Sequence, residues 1–86
     1  MFYVYILSSQ RTERLYKGLT ADLKKRVTEH NSGNVVSTKG YRPWELVYYE
    51  AFCTKKDAER EEKFLKTGKG RERLKYLLEY TLRRSG

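Results

Sequence analysis

Residues 2–31 read FYVYILSSQRTERLYKGLTADLKKRVTEHN. The first six, Phe2 to Leu7, are all β-branched, aromatic or aliphatic, the composition of a strand covered on both faces. Ser8 to Glu13 is polar and turn-like. Arg14 to Leu19 is a second strand, with Gly18 where a close backbone approach or a kink has a use. So short a connection predicts an antiparallel hairpin. A symmetric loop sets Tyr5 opposite Tyr16, and directly opposed residues share a face of the sheet. Thr20 is expected to N-cap a helix, with Asp22 in its first turn where negative charge suits the dipole. Leu23, Val27 and His30 follow the i, i+4, i+7 rule and form the inward stripe of that helix. Arg26 lies beside the stripe one turn before His30, Lys24 and Lys25 face outward, and Gly33 is the C-cap.

Downstream, Asn34 to Pro43 reads as a polar, mobile loop whose Lys39 and Arg42 suit contact with phosphate. Trp44 to Phe52, WELVYYEAF, is the third strand. Thr54 and Asp57 form a variant capping box that opens a helix from about Lys55 to Lys66. Gly68 and Gly70 break it. Arg71 to Arg84 is the last helix, with Leu74, Leu77, Leu78 and Leu82 inward. Its other face carries Arg71, Arg73, Lys75, Arg83 and Arg84. A chain of 86 residues with 38% hydrophobic content supports one domain, residues 1–86, and one modest core.

Composition narrows the class. The single Cys53 excludes an internal disulfide and a multi-cysteine zinc cluster, fits a reducing cytoplasm, and reads as a small buried residue. The sequence has no signal-peptide pattern, and Phe2 to Leu7 is far too short to span a bilayer. Lys and Arg total 19 against 11 Asp and Glu, giving +8. On so small a surface this favours a polyanionic partner, most simply nucleic acid. Of the eight tyrosines, Tyr3, Tyr48 and Tyr49 read as core or sheet-surface residues. Tyr5 and Tyr16 stand out only through their company with Arg26 and Glu62.

Glu62 is the anomaly in the pattern. Ala58, Glu62 and Leu65 fall at i, i+4, i+7, so a carboxylate occupies the stripe that faces the protein, with Glu61 beside it toward solvent. A buried carboxylate without a partner costs several kcal/mol. It is therefore paired with a cation such as Arg26 or a lysine, bonded to metal, or set in a wet cleft.

Taken together, the chain resembles the GIY-YIG nuclease superfamily, in its small stand-alone bacterial branch. Tyr3-Val4-Tyr5 matches the first signature, and Tyr16-Lys17-Gly18 running on to Arg26 matches the second. Glu29 to Gly33 looks like the branch's His-Asn-x-Gly ending, Leu46 to Glu50 like its third strand, and Ala58, Glu62, Lys63 and Lys66 like the surroundings of its metal-binding glutamate. Tyr3 replaces the first signature's glycine, Lys17 replaces an aliphatic residue in the second, and no asparagine occurs between Lys66 and Leu82. The resemblance implies an α/β (α+β) fold, a three-stranded antiparallel sheet flanked by helices. It also implies divalent-metal-dependent hydrolysis of DNA phosphodiesters, with Tyr5, Tyr16, Arg26 and Glu62 as site residues and His30 matching the branch.

The chemistry follows from residue types. One carboxylate, Glu62, suits a single Mg²⁺ (or Mn²⁺) that keeps most of its waters and binds substrate phosphate. Arg26 forks onto the non-bridging oxygens. Tyr5 or Tyr16 is the expected base, which requires its pKa to fall by ~3 units, or ~4 kcal/mol of favourable electrostatics. His30 is the conventional alternative, since its pKa is already near neutral; its other reading, favoured over a direct base role, is a helix histidine packed on the sheet and hydrogen-bonded to a tyrosine. Lys17, Lys39, Arg42, Lys66, Lys69 and Arg71 are the candidate nucleic-acid contacts. The expected function is a metal-dependent DNA endonuclease with low intrinsic sequence specificity, in DNA repair or processing. The competing readings are a catalytically inactive basic nucleic-acid-binding module, or a basic adaptor that delivers a larger protein to DNA.

Overall fold

The computed structural model describes residues 1–84; the last two residues of the expected 1–86 domain lie outside the described residues. Its elements are β1 (Phe2–Ser9), β2 (Leu15–Thr20), α1 (Leu23–Ser32), α2 (Val36–Lys39), β3 (Trp44–Phe52), α3 (Lys55–Leu65), α4 (Gly68–Leu77) and α5 (Glu79–Arg83). The strands form one antiparallel sheet in the order β2-β1-β3, the α+β arrangement expected. No helix among the described residues is long and apolar enough to cross a membrane.

The central strand explains the unbroken apolar run. Val4, Tyr5, Ile6 and Leu7 are all buried, because β1 is flanked by a strand on each side and by helices on each face. Alternation divides its side chains. Val4 and Ile6 pack with Ala58 and Leu65 of α3, Leu74 of α4, and Leu78. Tyr5 and Leu7 turn the other way and pack with Trp44, Tyr16, and Leu23 and Val27 of α1. On β3 the register skips Val47, so that Ile6 faces Tyr48 and Leu7 faces Leu46. That bulge turns Leu46 and Trp44 onto the α1 face.

The hairpin register differs from the symmetric expectation. Tyr5 pairs with Gly18, and Tyr16 pairs with Leu7. The shift is two residues, an even number, so both phenols still project from one face. Asp22, not Thr20, is the N-cap of α1, accepting from the Lys25 amide. Thr20 instead holds the turn before it by accepting from the Asp22 amide. Gly33 closes the helix at φ 86, a left-handed conformation that glycine adopts without steric cost.

Further differences concern the polar stretches. Within the expected loop of residues 34–43 lies the short helix α2, whose Thr38 is buried. Gly68 and Gly70 sit in the first turn of α4, which starts three residues earlier than expected because Thr67 caps it, accepting from the Gly70 amide. The expected single last helix breaks at Leu78, whose ψ of 19 is not helical. Leu78 dips into the core and Leu82 is 38% exposed. Cys53 is exposed, not buried, at the end of β3. Glu61 is half-buried, not solvent-facing.

Candidate active site

The site grows from the fit between Tyr5 and Gly18. A Cβ at position 18 would fall on the Cζ and hydroxyl oxygen of Tyr5. The phenol therefore lies across the backbone of the edge strand β2 and carries its hydroxyl toward that edge. Tyr16, two residues before Gly18, stands beside it with ring centroids 6.2 Å apart. His30, from the last turn of α1, closes the group at 5.8 Å from the Tyr5 ring and 4.8 Å from the Tyr16 ring.

One arrangement of protons satisfies every hydrogen bond in this group. The Thr38 hydroxyl donates to the Val35 carbonyl at 3.3 Å. Its oxygen is then free to accept from His30 Nδ1 at 2.8 Å. With the proton on Nδ1, His30 Nε2 is an acceptor and the Tyr5 hydroxyl donates to it at 2.8 Å. His30 and Thr38 are both buried, so each of these groups needs its partner. Two further bonds hold the ends of the group. Trp44 Nε1 donates to the Thr38 carbonyl at 2.9 Å. Asn31 clasps the Trp44 backbone, donating to its carbonyl at 3.0 Å and accepting from its amide at 2.6 Å.

Charges follow from this geometry. Burial pushes the Tyr5 phenol up to about 12, against the opposing pull of Arg26 and with added upward pressure from Tyr16 and Glu62. The lowered phenol expected for a tyrosine base is therefore not found at Tyr5. His30 is held below the usual histidine range, first by burial and then by the positive Arg26. Arg26 is raised by its contact with Tyr5 and by Glu29, whose carboxylate accepts from its Nη1 at 3.0 Å. A shallow depression lined by Leu19, Thr20, Asp22, Lys25, Arg26 and Glu29 opens at this side chain.

Glu62 comes from α3. Ala58 and Leu65 on its stripe are buried, while the Glu62 side chain keeps 22% exposure, with Lys66 Nζ 3.4 Å from one oxygen. Tyr5, Tyr16, Arg26 and His30 thus stand as one group, and Glu62 is near enough for its charge to oppose ionisation of Tyr5. A half-exposed carboxylate whose present partner is a solvent-reaching lysine offers hard oxygen donors to a divalent cation. No group of three or more His, Cys, Asp or Glu side chains suited to a metal occurs among the described residues. The donor set fits one hydrated divalent cation rather than an all-protein cage.

The candidate phosphate contacts divide. Lys17 projects to the α3–α4 face, away from Tyr16, where its pKa is lowered by burial and then by Arg71 and Lys66. Arg71 Nη1 donates to the Lys66 carbonyl. Lys69 is exposed at the start of α4. Lys39 and Arg42 sit apart from these, around α2. Thr38 was not legible in sequence, since it lies in a polar stretch with no periodicity. Nor was the meeting of Glu61 with Glu50 across α3 and β3, which pushes Glu61 up to about 7.

Similarity to known proteins covers most of the chain. A family model described as the GIY-YIG catalytic domain matches residues 1–75. A UPF0213 protein of Pediococcus acidilactici is 42% identical over 79 residues, spanning 88% of this chain and 80% of the relative. A UPF0213 protein of Staphylococcus saprophyticus is 38% identical over 78 residues, spanning 90% and 94%. The solution NMR structure of a UPF0213 protein from Bacillus halodurans is 36% identical, covers 90% of this chain and 85% of that one, and superposes with a TM-score of 0.55.

Proposed function

Because this chain belongs to the GIY-YIG family of nuclease domains, we propose that it is a divalent-metal-dependent DNA endonuclease acting through Tyr5, Tyr16, Arg26, His30 and Glu62. The observation that carries the reading is the Tyr5 hydroxyl 2.8 Å from His30 Nε2, on the face of the sheet that Tyr16 and α1, the helix of Arg26, also cover.

A standing phenolate on Tyr5 is disfavoured in the metal-free site. With its pKa at about 12, ionising it at neutral pH costs about 7 kcal/mol. A relay avoids that cost. The attacking water gives its proton to the Tyr5 oxygen as Tyr5 passes its own proton to His30 Nε2. The resulting hydroxide attacks phosphorus, the bond to the 3′ oxygen breaks, that oxygen takes a proton from bulk water to become the 3′-hydroxyl, and His30 returns its proton to solvent as product leaves. His30 is then the base and Tyr5 the group that touches the water. Arg26 binds the non-bridging oxygens, and Tyr16 positions the phosphate or the water beside them. Glu62 would hold Mg²⁺ or Mn²⁺, which when bound supplies charge stabilisation at the phosphate and the leaving oxygen.

Low sequence specificity follows from size, since phosphate contacts carry little base information. DNA repair or processing in the cytoplasm is the proposed setting. The test is incubation of wild type, Glu62→Ala and Tyr16→Phe with supercoiled plasmid and branched DNA, with Mg²⁺ or Mn²⁺. Wild type is expected to cut only with metal, while both variants bind and do not cut. Identical behaviour of all three, with binding and no metal-dependent product, gives the result to the inactive binding module.

A further inference from the structure

Three arginines gather around the α2 loop, at the opposite end of β2 from the α1 N-terminus. Arg11 Nη1 donates to the Gly40 carbonyl at 3.1 Å. Arg42 Nε donates to the Lys39 carbonyl at 2.9 Å, and its guanidinium lies against Gly33. The Arg14 guanidinium sits over the Tyr41 ring, 4.4 Å from its centroid. Each is held by one contact and keeps other N–H donors for a further partner. Among the described residues, none of the three is paired with a carboxylate, whereas Arg26, Arg60, Arg83 and Arg84 each are. A positive group left uncompensated and already oriented gives up little side-chain freedom when an anion arrives.

This cluster joins the candidate site. Arg14 precedes Tyr16 by two residues, and its carbonyl accepts from the Ser9 amide, which continues the hairpin past β2. Side chains two apart share a face at a spacing of about 6.6 Å, roughly two nucleotides of rise on one DNA strand. The aromatic rings make the same connection. Tyr41 packs on Trp44 at 6.4 Å, Trp44 on Tyr16 at 6.4 Å, and Tyr16 on His30.

We propose that Arg11, Arg14 and Arg42, with the exposed Lys39 beside them, form a docking rim for the sugar–phosphate backbone of the DNA strand on one side of the cut. The inference rests on the nuclease reading and specifies its substrate: a DNA that continues past the scissile phosphate across this rim. Arg11 and Arg14 belong to it only through the fold, since in sequence Arg11 lies in the expected turn and Arg14 opens the expected second strand, with no motif at either.

The test is equilibrium binding of a short DNA duplex across a salt series. Wild type is compared with Arg11→Gln/Arg14→Gln, whose two side chains are exposed and whose loss does not threaten the core. The slope of log affinity against log salt is expected to become shallower by about 1.8, at ~0.9 per phosphate contact. Arg42→Gln is expected to remove about 0.9 more. A control of equal charge loss, Lys55→Gln/Lys56→Gln at the exposed start of α3, is expected to keep the wild-type slope. The proposal is overturned by a wild-type slope in the double arginine variant, by an equal loss in the lysine control, or by tighter binding of an RNA duplex with the same dependence on Arg11 and Arg14. The two readings separate cleanly. Cleavage by wild type with no change of slope sinks the rim and leaves the nuclease, whereas the slope change without cleavage does the reverse.

Discussion

Thr38 decides which nitrogen of His30 carries the proton. Thr38 Oγ1 lies 2.8 Å from His30 Nδ1 and 3.3 Å from the Val35 carbonyl, and with its hydrogen on that carbonyl it faces His30 as an acceptor. Thr38→Val keeps the shape and removes that acceptor, leaving a buried Nδ1–H without a partner at a cost of about 1–3 kcal/mol. We predict a stability loss of that order and a fall in kcat of roughly 10–100-fold with KM unchanged. Thr38→Ser should restore both. The pH profile carries the same claim. Only neutral His30 accepts from Tyr5, and burial holds its pKa below the ordinary 6.5. Cleavage should therefore be flat from neutral pH upward and decline only below the usual histidine range, and His30→Gln should abolish that acid limb. A limb that persists in His30→Gln assigns it to another group.

At the scale of elements, β2 matters for what it lacks. Gly18→Ala drives a methyl into the Tyr5 ring. Overpacking of this kind costs about 1–3 kcal/mol, and displacement of the Tyr5 hydroxyl should lower cleavage about 100-fold. Retained activity in a folded Gly18→Ala protein removes Tyr5 from the relay. The packing of α3 on β3 makes a separate prediction. Glu50 Oε1 is buried without a hydrogen-bond partner among the described residues. Glu61 faces it, with Tyr48, Arg73 and Arg60 around the pair. Glu50 and burial push Glu61 up from 4.5 to about 7, because a proton on Glu61 supplies the donor that Glu50 lacks. An acid raised on folding binds more protons folded than unfolded between those two values, so this contribution to stability is present below pH 4.5 and lost as pH rises through 7. Glu61→Gln should be more stable than wild type at pH 8 by roughly 1–2 kcal/mol after discounting for solvent screening. The gain should vanish below pH 4.5, as read from urea midpoints. An equal difference at both pH values contradicts the pairing.

These elements also mark how far sequence reading reaches. Strands β1 and β3 were legible from their runs of aromatic and β-branched residues, and helices α1 and α3 from positions that repeat at the helix period. The shared face of Tyr5 and Tyr16 was legible too. Their exact partners were not, because loop asymmetry shifts register without changing composition. Helix α2 and Thr38 left no signal, since a buried polar residue in a polar stretch looks like loop. The break at Leu78 was hidden because Leu74, Leu77, Leu78 and Leu82 fit one continuous helix equally well. Glu62 was found by its break with the apolar stripe, whereas Glu61 gave no such contrast with its exposed neighbours.

For the molecule as a whole, a net charge of +8 is distributed in parts. Lys17, Lys66 and Arg71 gather near Glu62, and Arg11, Arg14 and Arg42 gather at the α2 loop, with the aromatic face between the α2 loop and Arg26. Binding is therefore expected to weaken steeply with salt, while chemistry depends on a few neutral and charged groups at one phosphate. Cleavage is proposed to run by water attacking phosphorus through Tyr5 and His30, with departure of the 3′ oxygen. Mass spectrometry of the ends made by wild-type protein in a single metal-started turnover tests this most directly. A 5′-phosphate and a 3′-hydroxyl are expected, with no DNA left attached to protein. A 3′-phosphate end, a tyrosine-linked strand, or intact DNA contradicts it.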